Sequence, residues 1–294
     1  MKGTYALLKF LSRWCCGMSP AGAERMGNAL GKFFWLCVPP RRKRLAVDNI
    51  LRSGVAENEE AAWRIAKASS LRFGPLGVAM FRFPLLTKEN IRDHVTIIGA
   101  EKLDAIKASG KGCILAATHC GNWEVEGAAL ALYGYPLLAV AMKQKNEEFD
   151  RFITEYRSMP GQTVEYKTGV RDMLRRLKQG YFVGLLCDQD PGETGILSPF
   201  LGQRTLTATG PAHFSVACGL PVMTALIHQT GREKYTIIID NPITADAGKK
   251  EAIQQITDRI NARLEAWIRK YPEEWFWLHN RWKWTDKLYP EERK

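Results

Sequence analysis

From about residue 95 onward, short apolar runs alternate with helical stretches, and this alternation constrains the fold more than anything else in the chain. Runs rich in Val, Ile, Leu, Tyr and Phe at 95–98, 113–118, 137–142, 163–166, 181–187, 222–228 and 235–240 have the length and composition of strands. Helical patterns lie between or after them, near 99–109, 122–133, 146–158, 169–179, 208–218 and 249–270. Strand-helix alternation of this kind predicts an α/β fold with a mostly parallel central sheet flanked by helices. It also predicts where a ligand binds: outside the carboxyl ends of the strands.

The first ninety residues have a different pattern. Leu7, Phe10, Leu11 and Trp14 recur at three-and-four spacing with Lys9 and Arg13 among them, as in a helix lying in a bilayer interface. The same stripe would also suit a helix packed on the protein body. A second helix near 21–38 stops at Pro39-Pro40 and is followed by Arg41, Arg42, Lys43 and Arg44, a cluster suited to anionic headgroups. Ten Lys/Arg against two acids in the first 52 residues concentrate there most of the formal net charge of +11. Charges interrupt every N-terminal apolar run, and the uncharged stretches 205–231 and 127–142 farther on are broken by Gly and Pro, so no segment reads as a clean transmembrane span. We therefore expect an N-terminal helical, membrane-associating region over 1–90 and an α/β catalytic domain over 91–294.

The seven cysteines are odd in number, show no CxxC spacing and sit mostly in apolar runs, which argues against a disulfide framework and a zinc site. Chemistry concentrates instead in Cys113-Ile-Leu-Ala-Ala-Thr-His-Cys-Gly-Asn-Trp-Glu124. A buried strand ends at Thr118 and places His119 at its carboxyl end. Gly121 permits a tight turn, Asn122 is a good helix N-cap, and Glu124 falls in the first turn, where the helix dipole favours a carboxylate. A turn of this length could fold His119 back beside Glu124. The imidazole would then take the proton of an attacking hydroxyl, and the carboxylate would orient the ring. Cys120 is poorly placed to exchange a proton with its neighbour. Glu126 is expected on a solvent-facing side of the helix. No further ligands accompany His119 and Glu124, so no metal is expected.

These residues resemble the bacterial lipid A biosynthesis acyltransferases of the lauroyl/myristoyl type, within the wider glycerolipid and lysophospholipid acyltransferase group. The H-x4-D/E motif of that family is matched by His119-Cys-Gly-Asn-Trp-Glu124. Arg41-Arg-Lys-Arg…Asn49-Ile-Leu, Asp188-Gln-Asp-Pro-Gly with Pro199-Phe-Leu-Gly202 and Thr207-Ala-Thr-Gly210, and Tyr271-Pro-Glu-Glu-Trp-Phe-Trp277-Leu-His279-Asn-Arg281-Trp-Lys283 resemble its other blocks in the same order. The resemblance implies a catalytic dyad of His119 and Glu124, a supporting arginine matched best by Arg157, and a further acidic site residue in Asp188. Asp188 also closes an apolar strand, where site residues belong.

The resemblance further implies an O-acyltransferase that moves a fatty acyl group from acyl carrier protein or acyl-CoA to a hydroxyl of a lipid A precursor, with no other cofactor. Its expected place is the cytoplasmic face of a bacterial inner membrane, held peripherally or monotopically. Acidic carrier and phosphorylated lipid both suit the basic chain. The same chemistry on another glycolipid, such as a phosphatidylinositol mannoside, or on a lysophospholipid, and a non-catalytic membrane-binding relative, are the competing readings. The aromatic tail over 271–289 suits either the headgroup level of a bilayer or packing across the domain. No nucleic-acid fold signature accompanies it, so nucleic acid is not an expected partner.

Overall fold

The computed structural model describes residues 3–245 and 248–292. Five helices come first: α1 (Thr4–Cys16), α2 (Pro20–Cys37), α3 (Pro40–Arg52), α4 (Glu59–Leu71) and α5 (Phe73–Phe81). A single helical turn, α6 (Ile91–His94), leads into β1 (Val95–Ile98), α7 (Ala100–Ala108), β2 (Cys113–Ala117), α8 (Trp123–Leu132) and β3 (Leu137–Ala141). The alternation continues with α9 (Glu147–Ser158), β4 (Thr163–Tyr166), α10 (Val170–Lys178) and β5 (Phe182–Leu186). Then come β6 (Ile196–Phe200), β7 (Gln203–Thr207), α11 (Gly210–Cys218), β8 (Val222–Gly231), β9 (Lys234–Ile239), α12 (Lys249–Lys270) and α13 (Lys283–Leu288).

Seven strands form one sheet in the order β1-β9-β8-β2-β5-β3-β4. All neighbours are parallel except β8 and β9, which pair antiparallel. The expected α/β architecture is present. The two departures are local: β8 turns back into β9 within a few residues, too few for a crossover helix, and β6 and β7 form a separate antiparallel hairpin. That hairpin turns on Leu201 and Gly202, both at positive φ (51° and 78°), the conformation a two-residue turn needs to follow strand twist. Leu201 is a non-glycine there, held by its N–H donating to Glu265 Oε2 at 2.7 Å.

Each sheet face has its own core. One gathers Ile114, Ala116 and Val183 with Val47, Ile50, Leu264, Trp275, Trp277 and Trp282, joining α3, α12 and the C-terminal tail. The other gathers Leu115, Leu137 and Phe182 with Val125, Ala129, Phe152 and Tyr156 from α8 and α9. Alternate residues of β2 thus enter opposite cores, and the strand is buried along its whole length. The tail aromatics Trp275, Trp277 and Trp282 lie inside the protein. Buried Arg281 anchors them, donating to Leu206 O at 2.6 Å and Thr207 Oγ1 at 3.0 Å. Burial draws its pKa down to about 10 despite Asp188 and Asp190 nearby.

Among the described residues, no helix is long and apolar enough to cross a membrane. α1 packs through Tyr5, Leu8, Ser12 and Cys15 and turns Leu7, Phe10 (64 % exposed) and Trp14 outward, with Leu11 half-buried. α2 adds exposed Leu30, Phe33 and Leu36 (75 %). Of the basic cluster, Arg41 and Arg42 are exposed, Lys43 lies over the Trp35 ring, and Arg44 is tied to Asp48 and Glu59.

α2 meets α5 and the end of α4 with backbones almost in contact. A Cβ on Gly31 would come within 2.0 Å of Leu71 O, and one on Gly74 within 2.0 Å of Gly27 O. No side chain can move aside to relieve a backbone clash, so Gly74→Ala should destabilise the protein by about 1–3 kcal/mol or more. Chemical denaturation measures this, and a variant as stable as the parent would show that this crossing is loose.

Candidate active site

β2 and β5 lie side by side, and their parallel register sets Ala117 opposite Leu186. Continuing that register brings His119 level with Asp188, although 69 residues separate them in sequence. The contact follows: His119 Nδ1 lies 2.8 Å from Asp188 Oδ1. Three more hydrogen bonds converge on Asp188 Oδ2, from Thr118 Oγ1 (2.8 Å), His119 N (2.9 Å) and Trp275 Nε1 (2.6 Å). Asp188 is fully buried. Burial would push its pKa up, but the imidazole and the Trp275 and Thr118 donors outweigh burial and hold it below the ordinary carboxylate range. An ionised carboxylate only accepts, so Nδ1 carries the ring proton and the Nε2 lone pair is left free. Among the described residues Nε2 has no hydrogen-bond partner.

The carboxylate facing the imidazole is therefore Asp188, where the sequence pointed to Glu124. Glu124 sits in the first turn of α8, as expected, but it accepts two hydrogen bonds from Arg157 of α9, Nε at 2.9 Å and Nη2 at 2.6 Å. Burial weighs against the charge of Arg157, but Glu124 and Asp150 prevail and leave its pKa raised. Such a two-pronged pair fixes two helices in angle as well as distance. Arg157 thus meets one half of the expected dyad and Asp188 meets the other.

The turn between strand and helix is held from several sides. Gly121 has φ +75°, and a Cβ there would lie 2.5 Å from Ile227 O. Asn122 caps α8, its Oδ1 accepting from Val125 N at 3.2 Å. The tail clamps the turn through backbone bonds, Gly121 N to Glu274 O at 2.9 Å and Phe276 N to His119 O at 3.1 Å. Glu274 also faces His228 (3.0 Å) and Arg72 (3.1 Å), a second imidazole–carboxylate contact that sequence reading missed. Cys120 is buried, and burial with Glu274 and Asp188 nearby pushes its thiol well up, so it stays protonated and is no nucleophile. Among the described residues no cluster suited to a metal exists.

The open side of His119 is apolar. Its ring meets Trp123 edge-on (5.0 Å between centroids), Trp123 meets Phe73 (6.3 Å), and Phe73 meets Phe276 (4.8 Å) and Phe34 (5.4 Å). A groove lined by Phe34, Cys37, Val38, Arg42, Phe276 and His279 leads toward the exposed face of α2. A second cavity lies beneath α8, bounded by Trp123, Leu115, Leu130, Leu137 and Leu185 with Arg157. Glu126, expected in solvent, lines this cavity at only 3 % exposure.

An imidazole held by a buried carboxylate, with one ring nitrogen free, is a group suited to taking a proton in group transfer. The chain belongs to the bacterial lipid A biosynthesis acyltransferase family, whose sequence pattern matches residues 10–284, and is an acyltransferase. It is similar to the phosphatidylinositol mannoside acyltransferase of Mycolicibacterium smegmatis, 26 % identical over 208 residues covering 69 % of this chain and 67 % of that protein. The same-named protein of Mycobacterium tuberculosis is 27 % identical over 223 residues, covering 73 % and 69 %. The lipid A biosynthesis acyltransferase of Haemophilus influenzae is 23 % identical over 199 residues, covering 65 % and 60 %.

The depressed Asp188 pKa predicts an acid-side effect of definite sign. Its folded value lies below the ordinary 3.8, so its stabilising contribution is complete above the unfolded value and fades as pH falls toward the folded one. The gap in melting temperature between the parent and Asp188→Asn should be constant above about pH 5 and shrink below about pH 4. A gap that widened on acidification would contradict the assignment.

Proposed function

We propose that this acyltransferase moves a fatty acyl group from a thioester, carried by acyl carrier protein or coenzyme A, to a hydroxyl of a phosphorylated glycolipid. A lipid A precursor is the first candidate acceptor. The observation that carries the reading is His119, its Nδ1 held by Asp188 at the carboxyl end of the central strand and its Nε2 free, in contact with Trp123 and Phe276, which line two apolar clefts. Nε2 takes the acceptor's hydroxyl proton as its oxygen attacks the thioester carbonyl. The C–O bond forms, the tetrahedral intermediate collapses, the C–S bond breaks, and the imidazolium returns the proton to the departing thiolate. Asp188 keeps Nδ1 protonated and faces the positive ring while it exists. Glu124 and Arg157 act together as a brace, fixing α8 and α9 around the cavity. In this reading the cavity beneath α8 takes the acyl chain, and the groove from α2 admits the acceptor lipid.

His119→Ala should lower kcat roughly 10²–10⁴-fold, and Asp188→Asn should produce a loss of similar order while the protein stays folded. Normal turnover by His119→Ala would end the general-base role. A phosphatidylinositol mannoside acceptor is the second reading, favoured by the higher identity to the mycobacterial enzymes than to the H. influenzae one. Transfer assays offering both acceptors, read by mass spectrometry of the product, decide between them.

Attachment at a bilayer surface is supported by the outward face of α1 and α2, with exposed Leu7, Phe10, Trp14, Phe33 and Leu36 and exposed Arg41 and Arg42 after α2. Burying one large apolar side chain contributes about 1.5–3 kcal/mol. The double variant Phe10→Ser, Phe33→Ser should therefore bind anionic vesicles at least tenfold more weakly. Unchanged partitioning in vesicle sedimentation would place the membrane contact elsewhere.

A further inference from the structure

Glu126 lies one helical turn from Trp123 on α8, lines the apolar cavity that Trp123 also borders, and has no role in the reaction derived above. Its Oε2 is out of solvent and has no hydrogen-bond partner. Arg157 lines the same cavity, but its Nε and Nη2 donate to Glu124 and it makes no hydrogen bond to Glu126 Oε2. With burial as the cause and no cation paired to it, the Glu126 carboxyl is pushed well up, which favours its neutral form. A neutral acid presents one O–H donor and a carbonyl acceptor.

A second polar group shares the cavity. Gln162 is 6 % exposed, and its side chain lines the cavity. Gly127 makes room for it: a Cβ there would lie 2.6 Å from Gln162 Oε1. The amide is thus brought against α8 at the residue after Glu126. An unpartnered carboxyl oxygen in a wall of Leu115, Leu130, Leu137 and Leu185 costs stability unless a ligand satisfies it, and the Gln162 amide lines the same cavity. An unsubstituted hydrocarbon chain cannot do so. A hydroxyl, which both donates and accepts, matches a neutral carboxylic acid and an amide.

We propose that Glu126 and Gln162 read an oxygen substituent part-way along the acyl chain, so that the donor this enzyme prefers carries a hydroxylated acyl group. The inference rests on the reading that the chain occupies the cavity beneath α8. A pocket built to hydrogen-bond a hydroxyl discriminates strongly against the analogue lacking it, because its own polar groups are then left unpaired.

The test compares kcat/KM for thioesters of dodecanoate with those of its monohydroxylated positional isomers, using the full chain. The parent should favour one hydroxylated isomer over the plain chain by roughly tenfold or more. Glu126→Leu should erase that ratio, and Glu126→Gln, which still donates and accepts, should keep part of it. Glu126→Leu should melt no lower than the parent, because it replaces an unpartnered buried acid by an apolar side chain. A parent with no preference for any hydroxylated isomer, or a preference that survives in Glu126→Leu, overturns the proposal. Leu130→Trp, which fills the cavity, separates this failure from failure of the underlying reading. If it stops turnover of all donors, the chain does lie beneath α8 even where the hydroxyl proposal has failed. If it turns over every donor like the parent, the chain lies elsewhere and both fall.

Discussion

The hydrogen bond between His119 Nδ1 and Asp188 Oδ1 is the contact on which the site depends, and it exists because two parallel strands are in register. Nothing local to either residue produces it. β5 enters the sheet between β2 and β3 only after two strands and three helices have intervened. Once it has, the carboxyl ends of β2 and β5 are neighbours separated by about 4.8 Å, a distance two short side chains span. Buried Asp188 then stays charged because four hydrogen-bonding contacts converge on it. One comes from Trp275, so the C-terminal tail is part of the site as well as of the core.

The tail has a second part in this arrangement. Its backbone pairs with the turn that carries His119, and its aromatic side chains fill the core on one sheet face. A turn at the end of a strand would otherwise be free to flex, and in the proposed reading an imidazole displaced by an ångström no longer addresses the reacting hydroxyl. On the opposite face the Glu124–Arg157 pair does similar work for α8 and α9. The histidine therefore stands between two rigid supports, with an apolar cleft beside each.

The N-terminal helices are coupled to this centre by aromatic contacts. Phe34 of α2 touches Phe73 at the head of α5, which touches both Trp123 and Phe276, and Trp123 borders His119. The glycine contacts between α2, α4 and α5 bring those helices close enough for that chain of rings to form. In the proposed reading, a lipid that enters along α2 meets apolar surface all the way to the reacting nitrogen.

Much was legible before any coordinates. Short apolar runs separated by amphipathic helices specify strands and helices locally, so the sheet and its flanking layers followed from periodicity. His119 at a strand's end, Gly121 in the turn and Asn122 as cap are local features read correctly from local signals. The antiparallel return of β9 and the β6–β7 hairpin were harder, since pairing direction depends on turn geometry such as the positive φ of Leu201. Glu126 was misread because helical spacing shows which residues share a face but not which face meets the sheet. Sequence proximity likewise suggested Glu124 as the partner of His119, while strand register gave that place to Asp188 and left Glu124 to Arg157. By itself the sequence determined the elements, the family blocks and the histidine at the end of β2, because these are encoded over a few adjacent residues. The tertiary structure alone decided which carboxylate faces that imidazole and which acid lines the cavity, because those contacts join residues that only strand order and helix packing bring together.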